Sequence, residues 1–340
     1  MAINPVAQYQ QVLSMALEDR AAGYQDLVSN SNALLAVLKS KGLFKEYSGP
    51  RIRETLQIAK PSGQWYNGYD FLDNAPLELF NDAYWTPKMV AVPITLSYEE
   101  ILNNEGTNEI MNVMESYIGA AERSMQDTMD IAVQSDGTAN NGKQLTGLKT
   151  AVPTVVNSGT YGGIDRGTYS IWRTSTFDAN SAFSAIGTQV SSTTIRPMLN
   201  SIMTQRARGK RAADLLLMST EHYAAYDAAT VSIQRVQDGG SVVGKLGFTS
   251  LKYYGAGRTA DIVLDGGIGT NMPSNTTYGI ETDSLRIRYN PNRNFQKLFE
   301  GEGMKPINQD AVVQYIGFMG ELTMVNPLFT WKFYDSNPAA

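Results

Sequence analysis

The 340-residue chain contains no cysteine. That excludes disulfides, thiol nucleophiles and cysteine-ligated metals. Histidine is almost as scarce, with His222 the single one. A catalytic triad, a histidine base or a histidine metal site would have to use it. Cations are in the minority: 28 Lys and Arg stand against 33 Asp and Glu, giving a net charge of −5 and a pI near 5.1. Dedicated nucleic-acid binders are usually basic, so a tight grip on DNA over the whole surface is not expected. No window approaches the roughly 20 apolar residues of a membrane span. The opening MAINPVAQYQQVLSMALEDR lacks a basic segment followed by an apolar run. No secretion signal is read from it, and a cytoplasm is the expected place of synthesis and folding.

What is present is an ordinary apolar share, 42% of residues. It can bury a core in one large domain or two modest ones. Val12, Leu13, Ala16 and Leu17 recur at helical spacing, and Leu27, Leu34, Leu35 and Leu38 continue after a break at Gly23. KSKG, at 39–42, predicts a helix end, with cations in the last turn and Gly42 beyond it. Residues 51–60 switch to period two, placing Ile52, Leu56 and Ile58 on one face and Arg53, Thr55 and Gln57 on the other. The turn-rich PSGQWYNGYDFLDNAP follows, carrying Trp65, Tyr66, Tyr69 and Phe71, and KMVAVPITL at 88–96 returns as a strand. Residues 50–96 thus read as a long two-stranded excursion with an aromatic tip. An isolated hairpin is marginal in water. The four aromatics are therefore candidate intersubunit contacts, with a loop folded back on its own domain as the alternative.

Residues 107–133 carry the clearest helical stripe: Ile110, Met114, Tyr117, Ala121, Met125, Met129 and Ala132 step by three or four. Thr107 suits the N-cap and Glu109 the first turn. Such a rod is about 40 Å long. A Gly/Ser/Thr-rich stretch, 136–193, comes next. A second helix fits 193–207 on Ile195, Leu199, Ile202 and Met203. DLLLMS predicts a buried strand, and TEHYAAYDAA a helix capped by Ser219 or Thr220. From 240 onward short strands alternate with glycine turns. AVVQYIGFMGELTMVNPLFTWKFY reads as one long strand or two paired ones. The class is α+β.

Several stretches imitate chemical motifs. GTANNGKQ places Gly137, Gly142 and Lys143 in the register of a phosphate-binding loop, but Gln144 stands where Ser or Thr is required. That loop also needs a strand before it and a helix after it. Here a long helix leads in, and QLTGLKTAV leads out without a helical stripe. A helix exit at Asp136 and Gly137, with Gly137 at positive φ, is the expectation. GAGRTA at 255–260 fits the looser dinucleotide pattern, yet the strand-like DIVLDGG follows, so a turn between strands is expected. RARGKR at 206–211 could meet phosphates, and reads better as a solvated helix end. His222 beside Glu221 is expected at the surface or in a cap. Glu99–Glu100 and Asp261/Asp265 have no companions that would give them acid and base roles. No catalytic, cofactor-binding or metal-ligating residue is assigned, and an enzyme is not expected.

The order of these pieces resembles the major capsid protein of tailed bacteriophages, with the Hong-Kong-97-type capsid fold. The likeness lies in a helical arm, a long β excursion, and a spine helix ending in SDGT before LTGLKTAV. Asp136, Gly137 and Thr138, then Gly147 and Leu148, match the turn found after the spine helix in that family, and TYGGIDRGTYSIWR at 160–173 is similar to one of its branches. The resemblance implies an N-terminal arm at 1–49 and an extended loop at 50–96. It implies a peripheral domain at 97–217 and 313–340, and an axial domain at 218–312. Copies would form pentamers and hexamers of an icosahedral shell around double-stranded DNA, held by confinement with weak contacts. The virion capsid would assemble in the host cytoplasm, without a membrane partner. A portal protein would be a partner, with a separate scaffolding protein and a decoration protein as further candidates and no covalent crosslink. An encapsulin-type nanocompartment shell is one alternative. A nucleotide-binding enzyme using 137–144 and a phage tail component are others.

Overall fold

A computed structural model describes residues 32–59, 61–72, 76–99, 107–230, 250–267, 271–298 and 310–338. Helix α1 (Ala33–Ser40) begins at Asn32, whose Oδ1 accepts from the amides of Leu34 at 2.9 Å and Leu35 at 3.3 Å. It ends at Lys41, and Gly42 turns the chain away at φ 65°, a conformation that costs glycine little. The helix expected farther upstream, on Val12 to Leu27, lies outside the described residues.

Strand β1 (Phe44–Glu46) precedes a ribbon of β2 (Ile52–Gln57) and β3 (Phe80–Trp85), antiparallel from Ile52 opposite Trp85 to Gln57 opposite Phe80. The excursion therefore differs from the sequence reading. The partner of β2 is 80–85, which is masked in sequence by the poor strand formers Asn81, Asp82 and Ala83 at the centre of FNDAYW and buries only Ala83 and Trp85. The expected partner, β4 (Lys88–Ser97), leaves the ribbon and pairs along ten residues of β13 (Ala311–Met324). Pro93 lies in β4, and β4 is an edge strand, where proline is tolerated.

Two larger sheets organise the chain. The first has the order β1, β12 (Leu285–Lys297), β13, β4. Helix α2 (Thr107–Gln134, 28 residues) packs on it through β4. The second holds six strands: β7 (Ser175–Asp178), β14 (Trp331–Tyr334), β11 (Thr276–Ile280), β8 (Leu215–Met218), β10 (Arg258–Leu264) and β9 (Ser250–Gly255). Helices α3 (Ile195–Gln205) and α4 (Thr220–Thr230) accompany it. Strands β5 (Thr160–Tyr161) and β6 (Ile164–Asp165) form a minimal hairpin, whose Gly162 carbonyl accepts from the Tyr84 amide of the ribbon at 2.8 Å. The sheets cut across the division made from sequence. β12 pairs with β13, whereas β14 lies between β7 and β11. The C-terminal run is thus two strands in different sheets, not one strand or a pair.

Strand β8 shows how the two halves share a core. All four residues are buried, as a central strand covered on both faces requires. Leu215 and Leu217 face a cluster containing α2, the ribbon and the four-stranded sheet. Leu216 and Met218 face a second cluster with Ile195, Met198, Leu199, Ile202 and Met203 of α3.

Candidate assembly surface

The connection between β2 and β3 carries the tip aromatics outward. Trp65, Tyr69 and Phe71 are fully exposed, at 102%, 100% and 102%, and Tyr66 at 66%. The tip closes on itself: Asp70 Oδ2 accepts from the Asn67 amide at 2.8 Å, and the Asp70 amide donates to the Asn67 carbonyl at 2.9 Å. The outer face of the ribbon adds exposed Phe80 and Tyr84, and Met89 of β4 is exposed beside it. Single exposed apolar side chains are ordinary, but a contiguous group marks an interaction surface.

The inner face of the ribbon is fixed by a buried carboxylate. Glu54 alternates with Ile52 and Leu56 in β2, and all three point inward. Its Oε1 accepts from Arg288 Nε at 2.6 Å and its Oε2 from Arg286 Nη1 at 3.2 Å. Both arginines lie on β12, so this trio ties the ribbon to the four-stranded sheet. On the opposite face Arg53 Nη2 pairs with Asp82 Oδ2 at 2.7 Å. The parity of IRETLQ could have singled out Glu54 from sequence; its partners, over 230 positions away, could not be.

On the spine helix, Ala121, Met125 and Met129 are buried and Tyr117 is partly buried against the same core. Ile110 and Met114 lie within α2, and their side chains are outside the described residues. At the helix exit, Asp136 Oδ1 accepts from Thr138 Oγ1 at 2.6 Å and from the Thr138 amide at 3.0 Å. Oδ2 meets Lys149 Nζ at 3.3 Å. These bonds, Thr138 first, hold the Asp136 carboxyl down to about 2. Gly137 takes φ 76°, and Asn140, Asn141 and Gly142 stay left-handed, as asparagine and glycine tolerate.

The near-phosphate loop bends onto itself. The amides of Gly142, Lys143 and Gln144 reach the carbonyls of Thr138, Asn140 and Ala139 at 3.1, 3.3 and 3.4 Å. A phosphate cradle needs such amides turned outward. Lys88 Nζ of β4 donates to the Gly142 carbonyl, while Lys143 is exposed. Lys143→Ala is therefore expected to leave the thermal midpoint within about 1 °C, its surface position giving under ~0.5 kcal/mol. A large loss, seen by calorimetry, would contradict the turn.

The other motif-like stretches resolve similarly. Ala256 at φ 53° and Gly257 at φ 69° form the two-residue turn between β9 and β10, with the positive φ at both central residues that tight hairpins favour. RARGKR is a solvated helix end, as expected: Arg206 is the C-cap of α3, and Arg208, Lys210 and Arg211 are exposed. Arg208 bridges to Arg211 around Gly209 at φ 60°. Arg206 lies 5.5 Å over the Phe177 ring, and Arg211 makes two 2.7 Å bonds to Glu281. His222, by contrast, is not at the surface. It lies in the first turn of α4 and is fully buried, with Nδ1 2.8 Å from Thr277 Oγ1 and its ring 5.2 Å from Phe333. Burial pushes it down to about 4, so the ring is a neutral core group.

Two more buried acids have no role legible in the sequence. Glu321 of β13 accepts from the Thr146 amide at 2.7 Å and the Leu322 amide at 3.2 Å, and burial pushes it up to about 8. Asp265, just after β10, accepts from Gln134 Nε2 at the end of α2. Burial, reinforced by the negative charge of Asp130, raises Asp265 to about 7. An unfolded aspartate titrates near 3.9, so the folded chain holds this proton where the unfolded chain has lost it. The contribution is full below about 4 and disappears as pH rises through about 7. Asp265→Asn keeps the shape and removes the titration. We expect the variant to gain thermal stability over wild type between pH 5 and pH 8, measured by melting at both. A constant difference would refute the assignment.

Among the described residues no group of three or more metal-ligating side chains gathers, and no helix is long and apolar enough to cross a membrane. No protein-family description matches the chain. Nor does any curated protein. Solved structures do match. The capsid asymmetric unit of cyanophage A-1(L) is 16% identical with a TM-score of 0.67, covering 91% of this chain and 93% of that one. The capsid of a native GTA particle is 10% identical with a TM-score of 0.51, covering 89% and 90%. A chain of Mycobacterium phage Bobi is 11% identical with a TM-score of 0.50, covering 89% and 90%. The chain has the phage-capsid fold of the Hong-Kong-97 type.

Proposed function

We propose that this protein is a shell subunit, whose copies form pentamers and hexamers of an icosahedral capsid around double-stranded DNA. The observation that carries the reading is the aromatic tip, fully exposed at the end of a ribbon that Glu54 holds to the body. Burying each large apolar side chain contributes about 1.5–3 kcal/mol, and a closed shell repeats that gain in every copy. The same division of labour makes α2 and the four-stranded sheet a peripheral domain and the six-stranded sheet an axial one. The tip at 58–79 belongs to the extended loop. The acidic balance suits confinement of DNA by a closed wall, with weak contacts to each subunit. The protein acts without catalysis. Its further partners are a portal protein and, as additional candidates, scaffolding and decoration proteins; its place is the virion capsid, assembled in the host cytoplasm.

The test is electron microscopy of the expressed chain, with and without Trp65→Ser and Phe71→Ser together. Wild type is expected to form closed shells. The double variant is expected to stop at small oligomers or monomers while melting at the wild-type temperature, because neither side chain is buried within its own chain. Shells of undiminished yield from the variant would remove the tip from assembly, and absence of any particle from wild type would sink the shell reading. Particle contents then separate two shell types: DNA fits a virion, and enzyme cargo fits a nanocompartment.

A further inference from the structure

The chain holds two Asn–Gly pairs, Asn67–Gly68 at the tip and Asn141–Gly142 at the helix exit. Both asparagines are exposed. In such a pair the glycine nitrogen can attack the asparagine Cγ, because no Cβ on the glycine shields it. By sequence and exposure the two pairs are alike, and they differ in where the glycine amide points. At the tip the Gly68 amide turns to the preceding side chain and donates to Asn67 Oδ1 at 2.9 Å. A carbonyl bond is about 1.2 Å long, so Cγ lies within reach of the same nitrogen. Reacting atoms held at about 3–3.5 Å make a near-attack arrangement. Asp70 fixes the pair from its far side: its Oδ2 accepts from the Asn67 amide, and its own amide donates to the Asn67 carbonyl. At the helix exit the corresponding nitrogen is engaged elsewhere. The Gly142 amide donates to the Thr138 carbonyl at 3.1 Å, and Lys88 Nζ holds the Gly142 carbonyl. That nitrogen reaches Asn141 Cγ only if the turn opens.

We infer that Asn67 is a site of spontaneous deamidation through a succinimide, and that the fold protects Asn141 from the same reaction. Water is the only co-reactant. The Gly68 nitrogen gives up its proton and bonds to Asn67 Cγ. The Cγ–Nδ2 bond breaks, and the amide nitrogen leaves as ammonia, taking up that proton. Water then opens the ring. Hydrolysis at Cγ gives an aspartyl residue, and hydrolysis at the backbone carbonyl gives an isoaspartyl one; nothing is oxidised or reduced. Either product sets a second carboxylate beside Asp70. The isoaspartyl form also inserts a methylene into the main chain, inside the turn that the Asn67 carbonyl and the Asp70 amide close. The tip thus keeps a one-way record of the time it has stood in water, whether or not copies assemble.

The test ages the purified full chain in mildly alkaline buffer. Subunits are separated from any particles by sedimentation, and conversion at each asparagine is read by peptide mass spectrometry, with enzymatic methylation of isoaspartate as a second readout. Should every wild-type copy assemble, the chain carrying Trp65→Ser and Phe71→Ser supplies the subunits. In folded subunits Asn67 is expected to convert at least about tenfold faster than Asn141, since displacing a reacting atom by about 1 Å can cost about a hundredfold. In denaturant, where neither turn exists, the two rates should converge. Gly68→Ala should slow conversion at Asn67 severalfold and leave the melting temperature unchanged, because an added Cβ meets no atom within 4 Å and Gly68 is not left-handed. Equal rates in the folded subunit, or no conversion at Asn67, would overturn the assignment. A difference that persists in denaturant would trace it to neighbouring residues instead of the amide's partner, and would overturn it too. Conversion at Asn67 that Gly68→Ala leaves as fast as before would remove the succinimide route.

Discussion

Replacing Gly147 with alanine is expected to destabilise the subunit by about 3 kcal/mol, the upper part of the range for overpacking. A Cβ there would lie 2.3 Å from the Val133 carbonyl oxygen, 2.4 Å from that of Ala132 and 2.7 Å from the Ser135 nitrogen. All three are backbone atoms in the last turn of α2 or the residue that follows it, so no side-chain rotation relieves the contact. Backbone dihedrals are not the reason, since Gly147 sits at φ −91° and ψ −166°, open to any residue. What glycine permits is the close approach of the returning chain to the helix end. That approach is braced from both sides: Ser135 Oγ donates to the Ala132 carbonyl at 2.8 Å and the Leu145 carbonyl at 3.0 Å. Arg166 Nη2 donates to the carbonyls of Thr150 and Ala151 at 2.9 Å each. Gly137→Val tests the same exit differently. Its cost of about 1–3 kcal/mol would come from a β-branched residue held at φ 76°. Denaturant unfolding of both variants separates the two effects. A Gly147→Ala midpoint within error of wild type would show that the chain does not approach the helix this closely.

The helix exit shows what the sequence made legible. The stripe from Tyr117 to Ala132 predicts α2 and its direction, because helical periodicity is a local signal. Knowing that a helix leads into GTANNGKQ is enough to argue against a phosphate loop, and the inward-turned amides agree. The alternation of IRETLQ likewise predicts β2 and its inward face. Legibility ends where a residue's role depends on remote partners. β3 is recruited by β2 although Asn81, Asp82 and Ala83 interrupt the strand-favouring aromatics of FNDAYW, a tertiary override of local propensity. His222 sits in a polar stretch whose local signal is surface helix, yet β11 and β14 cover it. The turn NPLF parts β14 from β13, but nothing local says which sheet receives it. For the tip, the sequence shows the aromatics; their full exposure is a property of the folded ribbon.

Glu54→Ala is expected to cost about 3 kcal/mol, the lower end of what breaking a buried ion pair usually costs. The lower end applies because Arg286 and Arg288 keep 32% and 19% of their side chains exposed, so water partly receives the orphaned charges. The loss has a place as well as a size. Glu54 sits in β2 and its partners in β12, so the substitution should free the ribbon more than the core. Hydrogen exchange would read this: amides of 52–57 and 80–85 should lose protection, while those of β8 and β11 keep theirs. Glu54→Gln should fall between wild type and alanine, since one amide oxygen still accepts from Arg288. A second variant separates charge from packing. Glu54→Met with Arg286→Met and Arg288→Leu removes every charge in the trio, and replacing a buried charge cluster with apolar groups is often neutral or stabilising. If that triple variant regains stability and assembles, the trio's task is to hold the ribbon. If it is stable and does not assemble, the charge of this trio is itself needed for assembly, beyond holding the ribbon to the four-stranded sheet.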